Sequence, residues 1–217
     1  MPLRATRAAI FDLDGTLVDS LPDIAWHLNA ALADAGLATY SNAEIRTWVG
    51  SGAAQLVARA VVGPDRIADV LSRFRVHYRA APYARTSVFA GLAEALDHIG
   101  VERELAILSN KPHDLVVTIA EALLSRWLFR EILGEQPGTP RKPDPQALLG
   151  IAKSLGLPPE ACVLVGDSEI DVATARAAGM PSVAVTWGLC DPHVLEGATH
   201  IVTTPAELAQ LFGPPTR

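Results

Sequence analysis

The sequence predicts a three-layer α/β fold, a parallel sheet covered by helices on both faces, with a small all-helical segment inserted after the first strand. Short apolar runs recur along the 217 residues, and most are followed by a segment with helical spacing. This alternation stops between residues 21 and 85, where helical patterns follow one another without a convincing strand. With 49% apolar and 19% charged residues, the chain can bury a large core.

The predicted strands are short apolar runs bounded by polar or turn-forming residues. They cover residues 8–11, 105–109, 129–133, 163–166, 182–186 and 201–203, and helical patterns between them cover 117–124, 146–155 and 170–178. Strands joined by helices run parallel, with right-handed crossovers. Ligands of such sheets bind outside the carboxyl ends of the strands, so the residues that follow each strand are the candidate site.

The helical insert comprises residues 21–85. Its helical patterns cover 24–35, 55–62 and 67–78, with a glycine-containing loop at 48–52. We therefore expect two domains, an α/β core formed by residues 1–20 and 86–217 and a helical domain at 21–85. Pro82 marks the return of the chain to the core.

Composition and charge exclude several classes of protein. The net charge of −6 comes with no run of basic residues, which argues against a nucleic-acid partner. The two cysteines, Cys162 and Cys190, fit no metal or disulfide framework, and Cys162 lies in an apolar run typical of a core. No apolar run approaches the ~18 residues of a membrane span, and the N-terminus does not resemble a signal peptide. We expect a cytoplasmic monomer or homodimer without a membrane partner.

Two pairs of carboxylates follow predicted strands. Asp12 and Asp14 end the first strand, and Asp167 follows the strand at 163–166, with Asp171 one helical turn later. Asp12 and Asp14 point to the same side because a strand has a period of two. Helix capping or a solvated turn is the alternative reading, but carboxylates gathered at one edge of a sheet repel unless a cation intervenes. Mg²⁺ prefers oxygen ligands and often binds through one or two carboxylates plus a substrate phosphate, so the pattern indicates Mg²⁺ and a phosphorylated substrate.

Two further polar residues suit a phosphate. Ser109 ends the strand at 105–109, and Lys142 lies in "RKPDP" at the start of a helix. A hydroxyl and an ammonium both bind phosphoryl oxygens. Helix capping by Ser109 and an ordinary solvated Lys142 are the alternatives. The chain has only three lysines, at 111, 142 and 153, which favours a role in the site for Lys142.

Four motifs together resemble the haloacid dehalogenase-like hydrolase superfamily: "FDLDGTLVDS", "LSNK", "RKPDP" and "GDSEID", in that order. The resemblance implies a Rossmann-like core, and the helical insert resembles the C1 cap of that superfamily. "WVGSGAAQLVARAV" and "WGLCDPHVLEGATHIVTTPAEL" are similar to the bacterial phosphoglycolate phosphatases. The implied activity is Mg²⁺-dependent hydrolysis of a small phosphomonoester, with 2-phosphoglycolate favoured.

The resemblance also implies roles for the four carboxylates. Asp12 would be the nucleophile that forms an aspartyl-phosphate and would ligate Mg²⁺ through its second oxygen. Asp14 would be general acid for the leaving alkoxide, then general base for water, with its backbone carbonyl on the metal. Asp167 would be a direct metal ligand, and Asp171 an outer or water-mediated one.

The remaining implied site residues hold the phosphoryl group. Ser109, the backbone at Asn110 and Lys142 would bind its oxygens, and Lys142 would also neutralise Asp12 and stabilise the transition state. The loop at 50–55 would lower onto the site. In the insert, His27, Arg46, Trp48 and Arg59 are candidates for binding the organic part of the substrate, with packing or surface exposure as the alternative.

Other activities of the superfamily are distinguished by single residues. Asp14 argues against a dehalogenase, because halide leaves without a proton. A phosphonate-cleaving enzyme would need a lysine in the insert, and residues 21–85 contain none. A sugar-phosphate mutase and a nucleotide or pyrophosphate phosphatase stay open. A non-catalytic Mg²⁺-binding regulatory module is the alternative from another class, and phosphate release from a phosphoester separates it from an enzyme.

Overall fold

The computed structural model describes residues 3–50 and 52–213. Its centre is a parallel sheet with the spatial order β5-β4-β1-β6-β7-β8, and β2 and β3 form a separate antiparallel ribbon. In chain order the strands are β1 (Ala8–Phe11), β2 (Val18–Asp19), β3 (Ser87–Val88), β4 (Glu104–Pro112), β5 (Phe129–Glu135), β6 (Cys162–Gly166), β7 (Ser182–Val185) and β8 (His200–Val202).

Helices cover both faces of the sheet and form the insert. They are α1 (Leu21–Asp34), α2 (Asn42–Arg46), α3 (Ala53–Ala60), α4 (Ile67–Ala80), α5 (Leu92–Ile99), α6 (His113–Leu123), α7 (Gln146–Ser154), α8 (Glu169–Ala177) and α9 (Pro205–Leu211). No helix in the described ranges combines the length and the hydropathy that crossing a bilayer requires.

The sheet is buried on both faces, and β1 lies at its centre. Alternate residues of β1 face opposite apolar layers: Ala9 and Phe11 lie in one cluster, and Ala8 and Ile10 in the other. All four side chains of β1 are fully buried. Because β1 pairs in parallel with β4 on one side and β6 on the other, the residues that follow these three strands emerge at the same edge.

The helical insert has an apolar cluster of its own. Leu28 and Leu32 of α1, Val57 of α3 and Val70 of α4 are fully buried there. The cluster also includes Leu115 from α6 of the α/β core, so the insert and the core share an apolar contact. The two-residue strands β2 and β3 pair where the chain leaves the core and where it returns.

The predicted three-layer fold with a helical insert is confirmed, and the six predicted strands correspond to the sheet, with bounds that differ by up to three residues. The sequence interpretation missed the ribbon β2–β3 and the helices α2, α5 and α9. A two-residue strand has no alternation to detect, and α2 owes its start to a capping box between Ser41 and Glu44 rather than to an apolar pattern. Cys162 is fully buried in the core, as predicted. The domain boundaries at 20/21 and 85/86 stay a prediction.

Candidate active site

Three carboxylates meet at the carboxyl edge of the sheet. Asp12 follows β1, Asp167 follows β6, and Asp171 lies in the first turn of α8. One oxygen from each lies within 4.8 Å of the others, and all three residues are largely buried. The predicted acids at positions 12, 167 and 171 are therefore brought together.

Lys142 lies between two of these carboxylates. Its Nζ is 3.0 Å from Asp12 Oδ1 and 2.6 Å from Asp171 Oδ1, and its side chain is 3% exposed. Burial lowers the pKa of Lys142 while Asp12 and Asp171 raise it, and the carboxylates prevail, so its pKa lies above the ordinary lysine value. The ammonium is charged at every physiological pH and neutralises part of the acidic cluster.

Asp171 is fixed by the start of its own helix. Ser168 caps α8 by accepting from the Asp171 N–H at 3.3 Å, and Asp171 Oδ2 accepts from the Ser168 N–H at 3.2 Å and from its hydroxyl at 2.5 Å. Since Asp171 Oδ1 accepts from Lys142, both oxygens of Asp171 have protein partners. Asp171 therefore takes part in the capping box of its own helix and also belongs to the acidic cluster.

Asp167 is held by backbone groups of the loop that follows β7. Its Oδ2 accepts from the Leu189 N–H at 2.6 Å and from the Cys190 N–H at 3.4 Å. Burial and the charges of Asp12 and Asp171 raise the pKa of Asp167 to about 7, against the lowering effect of these hydrogen bonds. Burial likewise raises the pKa of Asp12 to about 6, although Lys142 lowers it. Both carboxylates therefore lack a full countercharge.

Asp14 stands apart from this cluster and pairs with Lys111. Lys111 Nζ donates to Asp14 Oδ1 at 2.8 Å and Oδ2 at 3.1 Å, and to the hydroxyl of Tyr78 in α4 at 2.8 Å. Burial lowers the pKa of Lys111, but Asp14 and Tyr78 raise it above the ordinary lysine value. A charged ammonium thus joins the acid at position 14 to the helical insert.

The end of β4 supplies Ser109 and Asn110. Ser109 is buried, and its hydroxyl accepts only weakly, from the Lys111 N–H at 3.3 Å. The Asn110 side chain donates to the Lys142 carbonyl at 3.1 Å and accepts from the Lys142 N–H at 2.9 Å. Asn110 therefore fixes the backbone that presents Lys142, a role for its side chain that the sequence did not indicate.

The residues present fit a hard divalent cation. Every donor in the cluster is an oxygen, as Mg²⁺ prefers. Asp12 Oδ1 accepts from the Leu13 N–H and pairs with Lys142, whereas Asp12 Oδ2 accepts no hydrogen bond from residues 3–50 and 52–213. The Asp14 carbonyl oxygen likewise accepts none within those ranges. An oxygen of Asp12 lies within 4.8 Å of Asp167, and burial together with the charges of Asp12 and Asp171 raises the pKa of Asp167.

A cavity of about 110 Å³ lies between the insert and the sheet edge. Its floor includes Asp12, Asp14, Ser109, Lys142 and Asp167. Its other wall comes from α3, α4 and residues 49, 50 and 52. A cavity of this size suits a small ligand.

The insert's candidate recognition residues lie outside the cavity lining, which favours the alternative of packing or surface exposure. None of the four candidates, His27, Arg46, Trp48 and Arg59, lines the cavity. His27 hydrogen-bonds the Ala81 carbonyl at 2.9 Å, and Arg59 bonds the Thr47 carbonyl at 3.1 Å, so both bind the insert's own backbone. The wall is formed instead by residues such as Phe74 and Tyr78, which face the cavity because of how α4 packs.

Sequence reasoning also missed Lys111, Tyr78 and the loop at 188–190. Lys111 carried a usable signal, since it follows Ser109 and Asn110 directly and is one of only three lysines. Leu189 and Cys190 act through backbone N–H groups, for which no side-chain pattern exists.

A family model for haloacid dehalogenase-like hydrolases matches residues 9–185, which contain the four carboxylates, Ser109, Asn110 and Lys142 but not the loop at 188–190. The chain belongs to this family. A phosphoglycolate phosphatase of Rhodospirillum rubrum is 37% identical to this haloacid dehalogenase-like hydrolase over 96% of the chain and 92% of the relative. One of Chromobacterium violaceum is 38% identical over 98% and 99%.

Solved structures agree with the family. A Lactobacillus delbrueckii protein assigned as a phosphoglycolate phosphatase superposes with a TM-score of 0.90 at 32% identity, covering 95% of this chain and 98% of its own. A haloacid dehalogenase-like hydrolase of Streptococcus pneumoniae gives a TM-score of 0.89 at 25% identity, covering 96% and 99%. The arrangement of sheet and insert in this haloacid dehalogenase-like hydrolase is therefore shared with its relatives.

Proposed function

We propose that this chain is a Mg²⁺-dependent phosphatase that hydrolyses a small phosphomonoester through a phosphoryl intermediate on Asp12. The observation that carries the proposal is the position of Asp12, which shares Lys142 with Asp171 and lies within 4.8 Å of two further carboxylates beside a small cavity. A carboxylate, a buried cation and an oxygen-ligand cluster are the groups that phosphoryl transfer needs.

Asp12 attacks phosphorus and displaces the alkoxide. Its Oδ1 is held by the Leu13 N–H at 2.7 Å and by Lys142, which leaves the carboxylate fixed in place before reaction. Ser109, the backbone at Asn110 and Lys142 hold the phosphoryl oxygens, and Lys142 offsets the charge that grows in the transition state.

Asp14 acts as the general acid and then as the general base. It protonates the leaving alkoxide in the first step and takes a proton from the attacking water in the second, after which the P–O bond to Asp12 breaks and phosphate leaves. The separation of Asp14 from the acidic cluster supports this division of labour, since its carboxylate is not among the converging oxygens.

Asp12, Asp167 and the Asp14 carbonyl would hold Mg²⁺, with Asp171 as an outer ligand. The ion would supply positive charge to the phosphoryl oxygens and to the crowded carboxylates. Asp171 is ion-paired with Lys142 at 2.6 Å and takes part in the cap of its own helix, and these contacts support its outer position.

The favoured substrate is 2-phosphoglycolate. The names of the relatives and the small cavity support it. The chain would divide into a core of residues 1–20 and 86–217 and an insert of 21–85 that opens to admit substrate and closes to exclude water. A cytoplasmic location and a monomeric or homodimeric state stay predictions.

The proposal is tested by phosphate release from a panel of small phosphomonoesters, sugar phosphates and nucleotides, ranked by kcat/KM with Mg²⁺. We expect 2-phosphoglycolate to rank first and the Asp12→Asn variant to release no phosphate from any member. A nucleotide or sugar phosphate at the top would overturn the substrate assignment. No turnover on any member would overturn the phosphatase.

A further inference from the structure

The ammonium of Lys111 is a buried charge that the phosphoryl chemistry leaves unassigned. Its side chain is 7% exposed, and its Nζ reaches Asp14 in the core and Tyr78 in the insert. The same Nζ lies 4.6 Å from the centre of the Tyr78 ring. Lysine is rarely buried to this degree unless it is paired, so burial of Lys111 depends on its contacts with Asp14 and Tyr78.

The position of Lys111 relative to Asp14 places it next to the organic part of a bound substrate. Asp14 must reach the leaving oxygen, and Lys111 lies one hydrogen bond beyond Asp14 while lining the same cavity. A substituent on the carbon that bears the leaving oxygen therefore comes within reach of the ammonium.

The wall contributed by the insert also favours a negative group. Among the cavity residues that the structure describes, the insert supplies Arg75 and Arg79 as charged groups and no carboxylate. Arg79 pairs with Asp114 at 3.0 Å, whereas Arg75 has no hydrogen bond or ion pair within residues 3–50 and 52–213. Phe74 and Tyr78 contribute to the apolar part of this wall.

We infer that Lys111 is the specificity-determining residue of the site and binds a carboxylate carried by the carbon next to the phosphorylated oxygen. This inference rests on the proposed phosphatase function and assigns its substrate class, the phosphorylated 2-hydroxy acids. The Tyr78 hydroxyl of the insert orients the Lys111 ammonium of the core. The substrate carboxylate is therefore bound only where the insert contacts the core. Without substrate, Asp14 provides the countercharge of Lys111.

The inference is tested with two substrates of similar size, 2-phosphoglycolate and its neutral counterpart 2-hydroxyethyl phosphate. We expect Lys111→Met to lower kcat/KM for 2-phosphoglycolate by about 10- to 100-fold more than for 2-hydroxyethyl phosphate, the scale of a lost charge-assisted hydrogen bond. Lys111→Arg should recover part of the preference. Lys153→Met, at an exposed lysine on α7, is the matched control and should keep the preference of the unmodified protein.

A second readout avoids catalysis. Calorimetric binding of 3-phosphonopropionate and of propylphosphonate to the Mg²⁺-loaded protein compares the same phosphonate with and without a carboxylate. The preference for 3-phosphonopropionate should shrink in Lys111→Met. Equal losses on both substrates, with an unchanged binding preference, would show that Lys111 only positions Asp14 and would overturn the inference. Absence of turnover by the unmodified protein would instead refute the phosphatase, and the binding comparison would still decide the role of Lys111.

Discussion

The backbone N–H of Leu189 donates to Asp167 Oδ2 at 2.6 Å, and the helical insert also binds Leu189. Its carbonyl accepts from Arg46 Nε at 3.0 Å, and Arg46 Nη2 donates to the neighbouring Gly188 carbonyl. The loop at 188–190, which holds Asp167 of the candidate metal site, thus also accepts hydrogen bonds from the insert. The insert therefore contacts the candidate metal site through Arg46, Leu189 and Asp167.

Removing the Arg46 hydrogen bonds should make the insert more mobile relative to the core. In Arg46→Ala we expect KM to rise about 3- to 10-fold, the cost of a modest net hydrogen bond, and amide exchange to increase at 45–49 and 52–55. Arg73→Ala, which removes an exposed guanidinium paired with Asp69 on the same helix, is the control and should change neither. Unchanged exchange and KM in Arg46→Ala would show that the contact holds nothing in place.

Gly188 leaves room for the acid beside it. A Cβ at this position would overlap the Asp167 side chain and the Gly15 carbonyl. We therefore expect Gly188→Ala to weaken Mg²⁺ binding and lower kcat by more than 10-fold, because a small displacement of a ligating group is costly. Gly150→Ala is the control: a Cβ there meets nothing within 4 Å, and a helical glycine replaced by alanine adds about 0.5–1 kcal/mol of stability. Normal metal affinity in Gly188→Ala would contradict the close packing.

After metal removal, the free energy of unfolding should fall as the pH rises. Without a cation, burial raises the pKa of Asp12 to about 6 and of Asp167 to about 7, above the ordinary value of 3.8. The folded state then binds protons more tightly than the unfolded chain, so its stability falls as the pH rises from about 4 to 7. A bound cation favours the ionised carboxylates and removes this loss.

We expect Mg²⁺ to raise the melting temperature more at pH 8 than at pH 5, measured by calorimetry after chelation and re-addition. In Asp167→Asn the increase should disappear at both pH values. An equal increase at the two pH values would mean that the ion does not act on these carboxylates.

Asp14→Asn tests the proton-transfer role. The amide keeps the shape of the side chain but cannot donate or accept the proton, so kcat should fall by ~10²–10⁴-fold. The loss should be smaller for a phosphoester whose leaving group needs no protonation, such as p-nitrophenyl phosphate. Asp65→Asn, at an exposed aspartate of the insert, should retain full activity. A near-normal rate in Asp14→Asn would remove Asp14 from the chemistry.

The sequence predicts the sheet edge well and the insert wall poorly, for a physical reason. Asp12 and Asp167 directly follow apolar strands, and parallel strands deliver their ends to one edge, so local pattern and topology suffice. The wall depends on how α4 packs against α1 and α6, which decides that Tyr78 faces Lys111 while His27 bonds a backbone carbonyl. No local pattern encodes that choice.

Some contacts are invisible in the sequence for a second reason. Leu189 holds Asp167 through its N–H, a group that nearly every residue has. Trp26 of α1 is 41% exposed, and the Arg85 guanidinium lies over its ring. An amphipathic pattern predicts which face of a helix is apolar on average. It does not predict that one long side chain at the surface will cover another.

A single turnover of 2-phosphoglycolate labelled in its phosphoryl group tests most directly whether Asp12 becomes phosphorylated. The reaction is stopped by acid within milliseconds, and the labelled residue is located by peptide mapping. We expect transient label on the peptide that contains Asp12. Asp12→Asn, a variant that should keep its circular dichroism and melting temperature, should carry none. Label on a different residue, or steady phosphate release by folded Asp12→Asn, would contradict this expectation.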